Sequence, residues 1–67
     1  MSFSYKPLWK LLIDRDMTKK DLMLNAGISK STMDKMYRGE NISMEIINRI
    51  CNYLKCDVGD VITHIEE

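Results

Sequence analysis

The chain has 67 residues, 45% of them hydrophobic and 30% charged, and its formal net charge is zero. This length leaves no room for a separate catalytic or effector-binding domain, so we expect residues 1–67 to form one domain. No apolar run approaches the roughly 20 residues of a membrane span, and the N-terminus lacks a secretory pattern, so we expect a soluble, cytoplasmic protein.

The charges are distributed unevenly along the chain. Residues 1–38 contain eight Lys or Arg against four Asp or Glu, a balance of +4, whereas residues 39–67 contain two against six, a balance of −4. A basic half can face the phosphates of a nucleic acid even when the whole chain is neutral. This asymmetry is weak evidence alone, and any such binding should be modest and steeply dependent on salt.

The first predicted helix covers about residues 6–15. Pro7 suits its first turn, where the missing N–H is not needed. Its inward face carries Leu8, Leu11 and Leu12. Trp9 and Ile13 form a second apolar set, which packing between the first helix and a fifth helix is expected to cover.

Four further helix starts repeat one local pattern, in which a Ser, Thr or Asp follows one apolar residue and precedes another by four positions. The polar side chain is a natural N-cap, and the two apolar residues have the spacing of a hydrophobic staple. The four N-caps are Thr18, Ser29, Ser43 and Asp57. They predict helices over about residues 19–26, 30–38, 44–54 and 58–64.

The sequence also indicates where these helices end and which of their faces are apolar. Gly27 and Gly39 can close the second and third helices. The fourth has an apolar face formed by Ile47, Ile50, Cys51 and Leu54. The fifth would carry Val61, Ile62 and Ile65. Because no window alternates apolar and polar residues long enough for a strand, the sequence predicts an all-α fold of five short helices.

The third predicted helix has an apolar side and a polar side. Its apolar side, which should enter the core, carries Met33, Met36 and Tyr37. Its polar side carries Ser31, Asp34, Lys35 and Arg38, with Lys30 at the exposed first turn. Such a face is typical of any surface helix, and the i, i+4 pairs that Asp34 forms with Lys30 and Arg38 can simply neutralise one another.

The second and third helices together have the layout of a helix-turn-helix over about residues 18–38, which presents one helix to a DNA major groove. Lys30 and Lys35 can donate to guanine O6 and N7, and Ser31 can donate or accept. Arg38 is better placed for phosphate. The start of the second helix also suits phosphate, because it combines cations with free backbone N–H groups; its residues are Thr18, Lys19 and Lys20.

Cys51 and Cys56 are the two cysteines of the chain, and His64 is its one histidine. A structural zinc site would need a further ligand pair, so small buried thiols, reduced in the cytoplasm, are the simpler interpretation. His64 has no evident nucleophile or acid partner, so we expect no metal, no cofactor and no enzymatic activity.

A series of motifs runs through the chain in a fixed order. It comprises Met17-Thr-Lys-Lys-Asp-Leu, Ala26-Gly-Ile-Ser-Lys-Ser-Thr-Met, Arg38-Gly-Glu, Ile42-Ser-Met-Glu-Ile-Ile and Ile50-Cys-Asn-Tyr-Leu-Lys-Cys-Asp-Val-Gly-Asp-Val-Ile. This order resembles the small Cro- and lambda-repressor-like (XRE-like) helix-turn-helix regulators of bacteria and phages. The resemblance implies the five-helix lambda-repressor-like fold, sequence-specific binding to double-stranded operator DNA, and a homodimer on a near-palindromic site.

Carried over by position, the resemblance implies that bases are read by Lys30, Ser31 and Lys35. It implies phosphate contacts near Lys19, Ser29 and the loop from Arg38 to Asn41. The chain departs from the family at Met23, where a small residue is common, so the two motif helices are expected to pack differently or further apart. The exposed face is also poor in Gln and Arg, so specificity is expected to be modest or to depend on DNA shape.

The expected partners are double-stranded DNA and a second copy of the chain. A dimer seam near helices four and five would use apolar residues that a small core does not readily cover, namely Met44, Val61, Ile62 and Ile65. We expect the protein to regulate transcription, most simply as a repressor, and we expect no small-molecule effector. The main alternative is a protein–protein interaction module, antitoxin-like or an adaptor, built on the same fold with no role for DNA.

Overall fold

The computed structural model describes residues 3–66 and is mostly helical. Its α-helices are α1 (Lys6–Asp14), α2 (Lys19–Ala26), α3 (Lys30–Tyr37) and α4 (Met44–Leu54). A 3-10 helix, Val58–Asp60, follows α4. The two ends of the chain meet in an antiparallel pair of short strands, β1 (Phe3–Ser4) and β2 (Thr63–His64), with Phe3 opposite His64 and Ser4 opposite Thr63.

The predicted starts of three helices are confirmed by their capping contacts. The side-chain oxygens of Thr18, Ser29 and Ser43 each accept a hydrogen bond from the backbone N–H three residues later. These contacts satisfy donors that the first helical turn leaves without a partner. The bounds of α2 and α4 are those predicted, and α1 and α3 each end one residue earlier than expected.

The prediction of a fifth helix over residues 58–64, and of no strand, was wrong. Asp57 does cap a turn, with a reciprocal pair of contacts to Asp60, but that turn is the three-residue 3-10 helix. Gly59 lowers helix propensity, and the β-branched residues that follow favour extended backbone. The Val61 carbonyl then accepts the Leu8 N–H at the start of α1, 3.3 Å away. This contact and the pairing of β2 with β1 replace further helical turns.

One continuous core lies between the helices and the 3-10 turn. It is built from Tyr5, Leu8, Leu12, Leu22, Ile28, Met33, Met36, Ile47, Ile50, Leu54 and Val61. The predicted inward residues of α1 and α4 lie here or pack against it. Tyr37 does not, because it is 50% exposed, so its predicted place in the core was wrong.

The second apolar set of α1 also lies elsewhere than predicted. Ile13 is 73% exposed, and it is not covered by a fifth helix. Trp9 is half-buried and packs against Tyr37 of α3, with ring centroids 5.6 Å apart. The chain therefore uses Trp9 to join α1 to the surface of α3.

Two long-range hydrogen bonds tie the ends of elements together. The buried Tyr5 hydroxyl donates to the Glu40 carbonyl at 2.7 Å, which fixes the loop after α3 to the N-terminal segment. Burial raises the pKa of this phenol, because the phenolate would lose its hydration. The Arg15 guanidinium donates to the Leu54 carbonyl, which joins the end of α1 to the end of α4.

The two cysteines are free and half-buried, with Cys51 on α4 and Cys56 just after it. Burial raises the pKa of the Cys56 thiol, which disfavours the reactive thiolate. Within residues 3–66, no three His, Cys, Asp or Glu side chains are grouped closely enough to hold a metal ion. The helices of this described part are too short or too polar to cross a membrane.

Candidate nucleic-acid interface

The start of α2 is a reciprocal capping box. Thr18 Oγ1 accepts the Asp21 N–H at 3.0 Å, and Asp21 Oδ2 accepts the Thr18 N–H at 3.0 Å. The first N–H groups of the helix, those of Lys19 and Lys20, have no acceptor within a helix of this geometry and point out of its end. Both lysines are exposed, so this helix start presents donors and positive charge together.

The capping box also makes stability depend on pH. Hydrogen bonds from the backbone and side chain of Thr18 lower the pKa of the Asp21 carboxyl below its ordinary value. A lowered pKa in the folded state adds stability above about pH 4, which is lost as pH falls through the folded pKa. We expect Asp21→Asn to lose stability at neutral pH and to fall less steeply between about pH 5 and pH 3. Thermal unfolding across that range tests this, and parallel curves for both proteins would contradict it.

The turn between α2 and α3 depends on Gly27. Its backbone has φ 69° and ψ 39°, the left-handed conformation that glycine adopts without steric cost. The Gly27 and Ile28 N–H groups both donate to the Met23 carbonyl, which ends α2. From α4, Arg49 donates to the Gly27 carbonyl at 3.1 Å and also binds Glu45 at 3.2 Å. The turn is thus held by its own backbone hydrogen bonds and by Arg49 of α4.

The start of α3 is held by a small hydroxyl network. Ser29 Oγ accepts the Thr32 N–H at 3.2 Å and donates to Thr32 Oγ1 at 2.9 Å. Ser29 Oγ also lies 3.1 Å from Ser31 Oγ. Either hydroxyl can donate in this contact, so Ser31 can offer a donor or an acceptor to a base edge.

The two faces of α3 differ sharply. Met33 and Met36 are each 1% exposed and fix the helix to the core, whereas Lys35 is exposed on the other side and Lys30 is exposed in the first turn. Within the described residues, Asp34 forms no ion pair with Lys30 or Arg38; the pairs present are Arg38–Glu40 and Arg49–Glu45. The lysines of α3 are therefore available to an external partner.

The loop after α3 contains the remaining predicted contacts. Arg38 Nε lies 2.5 Å from Glu40 Oε2, and this hydrogen bond raises the pKa of an already cationic guanidinium. Arg38 must therefore share its charge with Glu40 or exchange that partner before it can bind phosphate. Asn41 is exposed in the same loop. In all, the structure leaves every predicted site residue exposed: Thr18, Lys19, Lys20, Ser29, Lys30, Ser31, Lys35, Arg38 and Asn41.

Two aromatic residues that sequence reasoning missed also lie at this surface. Lys19 Nζ lies 4.8 Å from the centroid of the Trp9 ring and 4.9 Å from that of Tyr37. These distances are within the range of cation–π attraction. The three residues come from α1, α2 and α3, so no local spacing in the sequence could have joined them.

The geometry agrees with comparisons to known proteins. Residues 7–67 match the family model of the Cro/C1-type HTH DNA-binding domain. The structure is also similar to the crystal structure of the transcriptional regulator VanUg, with a TM-score of 0.95 and 50% sequence identity over 98% of this chain and 88% of that one. No curated protein matches the chain.

Proposed function

This chain belongs to the family of Cro/C1-type helix-turn-helix DNA-binding domains, and from that membership we propose that it is a sequence-specific repressor that binds a near-palindromic operator as a homodimer. The match over residues 7–67 and the similarity to a transcriptional regulator make it an XRE-like, DNA-binding regulator of transcription. Operator specificity, repression and the dimer are the further steps of the proposal.

The observation that carries the proposal is the exposed polar face of α3. The helix is held from behind by two buried methionines and at its start by the Ser29 cap, so its outer side chains are presented on a rigid element. A rigid helix of this kind can enter the major groove without a large ordering cost. We assign base reading to Lys30 and Lys35 as donors and to Ser31 as a donor or an acceptor.

Phosphate contacts would surround this helix and fix its register. The start of α2 supplies cations and outward N–H groups, and the loop after α3 supplies a guanidinium and an amide. We assign phosphate contacts to Thr18, Lys19, Lys20, Ser29, Arg38 and Asn41. Because the net charge of the chain is zero, binding should be modest. Because contacts to phosphate supply much of the affinity, binding should weaken steeply with salt.

The proposed dimer is supported by apolar side chains exposed near the start of α4 and the terminal strands. Met44 is 69% exposed, and Phe3 and Ile65 are 42% and 41% exposed. Val61, which the sequence placed in the seam, is fully buried in the core, so that part of the prediction was wrong. Because residues 58–64 form a 3-10 turn and a strand rather than a fifth α-helix, the seam we propose is formed by α4 and the C-terminal segment of each copy. Two copies related by a two-fold axis would place two α3 helices one turn of DNA apart, about 34–36 Å.

The test is selection from a pool of random duplex DNA by the purified protein at low and at physiological salt, followed by sequencing of the retained fraction. We expect enrichment of a near-palindrome at both salt concentrations, because base contacts add to the phosphate contacts. Retention that vanishes at the higher salt without an enriched motif would contradict operator binding. That outcome would instead favour the protein–protein interaction module.

A further inference from the structure

The start of α2 carries an aromatic clamp, by which we mean the adjacent rings of Trp9 and Tyr37, against both of which the Lys19 ammonium lies. The Lys19 ammonium lies 4.8 Å and 4.9 Å from the two ring centroids, and the rings lie 5.6 Å apart at an interplanar angle of 47°. The ammonium is therefore attracted by both rings at once. Resting on the DNA-binding function proposed above, we propose that Trp9 and Tyr37 are positioning residues that hold Lys19 for contact with a DNA phosphate.

The clamp leaves Lys19 able to bind a phosphate. An ammonium has three N–H donors, and the rings attract it through their faces rather than by taking its hydrogen bonds. Lys19 remains exposed, at the helix start where the outward N–H groups and the helix dipole also favour an anion. A phosphate at this place would meet the held cation and the backbone donors together.

Holding Lys19 in place has a thermodynamic reason. A free lysine loses much of its rotamer freedom when it binds, and this cost opposes association. A lysine whose ammonium is already held against two rings loses less. In a chain with no excess of positive charge, each phosphate contact is a large share of the total, so the confinement of one lysine should be measurable.

The exposure of Tyr37 agrees with this role. Tyr37 faces away from the core and is 50% exposed, while its ring contacts Trp9 and Lys19. Lys20, the next residue after Lys19, is also exposed and makes no cation–π contact within the described residues. Lys20 is thus a matched control with the same charge on the same helix turn.

The experiment measures the affinity for a random-sequence duplex at low salt by fluorescence anisotropy. Tyr37→Leu removes the ring and should weaken binding by about two- to tenfold, the cost of ordering one flexible side chain. Tyr37→Phe keeps the ring and should bind as the wild type does. In a Lys19→Met background, Tyr37→Leu should have no further effect, whereas in a Lys20→Met background it should keep its full effect.

Two further measurements distinguish positioning of Lys19 from a purely structural role of the rings. They are the salt dependence of DNA affinity and the fluorescence emission of Trp9. Lys19→Met should reduce the slope of log affinity against log salt by about 0.9, while Tyr37→Leu should leave the slope unchanged. Trp9 is the single tryptophan, so its emission reports on the clamp in the free protein. Lys19→Met should shift that emission, and Lys20→Met should not.

Three results would overturn the proposal. An equal effect of Tyr37→Leu with and without Lys19 would mean that Tyr37 acts independently of Lys19. Tighter binding by Tyr37→Leu would mean that the rings withhold Lys19 from DNA. An unchanged Trp9 emission in Lys19→Met would mean that the clamp does not form in solution. Each leaves DNA binding by the wild type intact, whereas no binding by the wild type at all would remove the proposed function together with the clamp.

Discussion

Replacing Lys30 and Lys35 together by alanine is expected to abolish recognition of the selected operator while leaving the fold intact. Each good base contact contributes about 1–3 kcal/mol of discrimination, and loss of both should weaken operator binding by on the order of a hundredfold or more. Both side chains are exposed and form no ion pair within the described residues, so their removal should cost little stability. Anisotropy titrations of operator and random duplexes measure the effect.

The comparison between the two duplexes decides what the lysines do. A base-reading role predicts a large loss on the operator and a smaller loss on random DNA. A uniform loss on both would show instead that the two lysines contact phosphates, and unchanged operator binding would contradict any contact. Lys55→Gln is the control, because Lys55 is an exposed cation at the end of α4, in the acidic half of the chain.

The parts of the fold that the sequence predicted correctly are those fixed by local chemistry. Thr18, Ser29 and Ser43 cap their helices through contacts that span three residues, and the apolar spacing that follows each cap identifies the buried face. Gly27 ends α2 in the left-handed conformation that its position suggested. Each of these features depends only on a few neighbouring residues, so the sequence pattern was sufficient.

The parts that could not be predicted depend on residues far apart in the chain. The capping box at Asp57 is a true local signal, but it starts only a 3-10 turn because Gly59 and the strand pairing with Phe3 and Ser4 oppose a helix. Tyr37 lies near the edge of the apolar face of α3, where it stays half exposed and packs against Trp9 of α1. Helical periodicity gives the side on which a residue lies, not what covers it.

The fold alone does not determine which residues contact which part of the DNA. Helix geometry places Ser31 and Lys35 on one side of α3 and Lys30 in its first turn, and the exposure of all three agrees with the assignment. Which of them touches a base depends on how the helix docks in the groove, a relation that involves two molecules. The lysine substitutions therefore test how the helix docks on DNA, which the sequence of one chain does not determine.

Leu22→Ala should destabilise the domain more than any change on the surface of the helix-turn-helix. Leu22 is fully buried where α2 meets the core, and removing a buried leucine side chain costs about 2–5 kcal/mol. A chain of this length has a total free energy of unfolding of roughly 3–10 kcal/mol, so the loss is a large part of the whole. Urea unfolding followed by circular dichroism should show a much lower midpoint and, at the upper end of the range, a partly unfolded protein.

Leu24→Ala supplies the matched control, because the same substitution is made two residues later on the same helix. Leu24 is 66% exposed, so its replacement should change stability by no more than about 0.5 kcal/mol. Equal losses in the two variants would contradict the placement of α2. Addition of operator DNA should raise the unfolding midpoint of Leu22→Ala, because DNA binds only the folded state. If it does, the loss of DNA binding in that variant comes from unfolding rather than from a missing contact, since Leu22 itself is inaccessible to DNA.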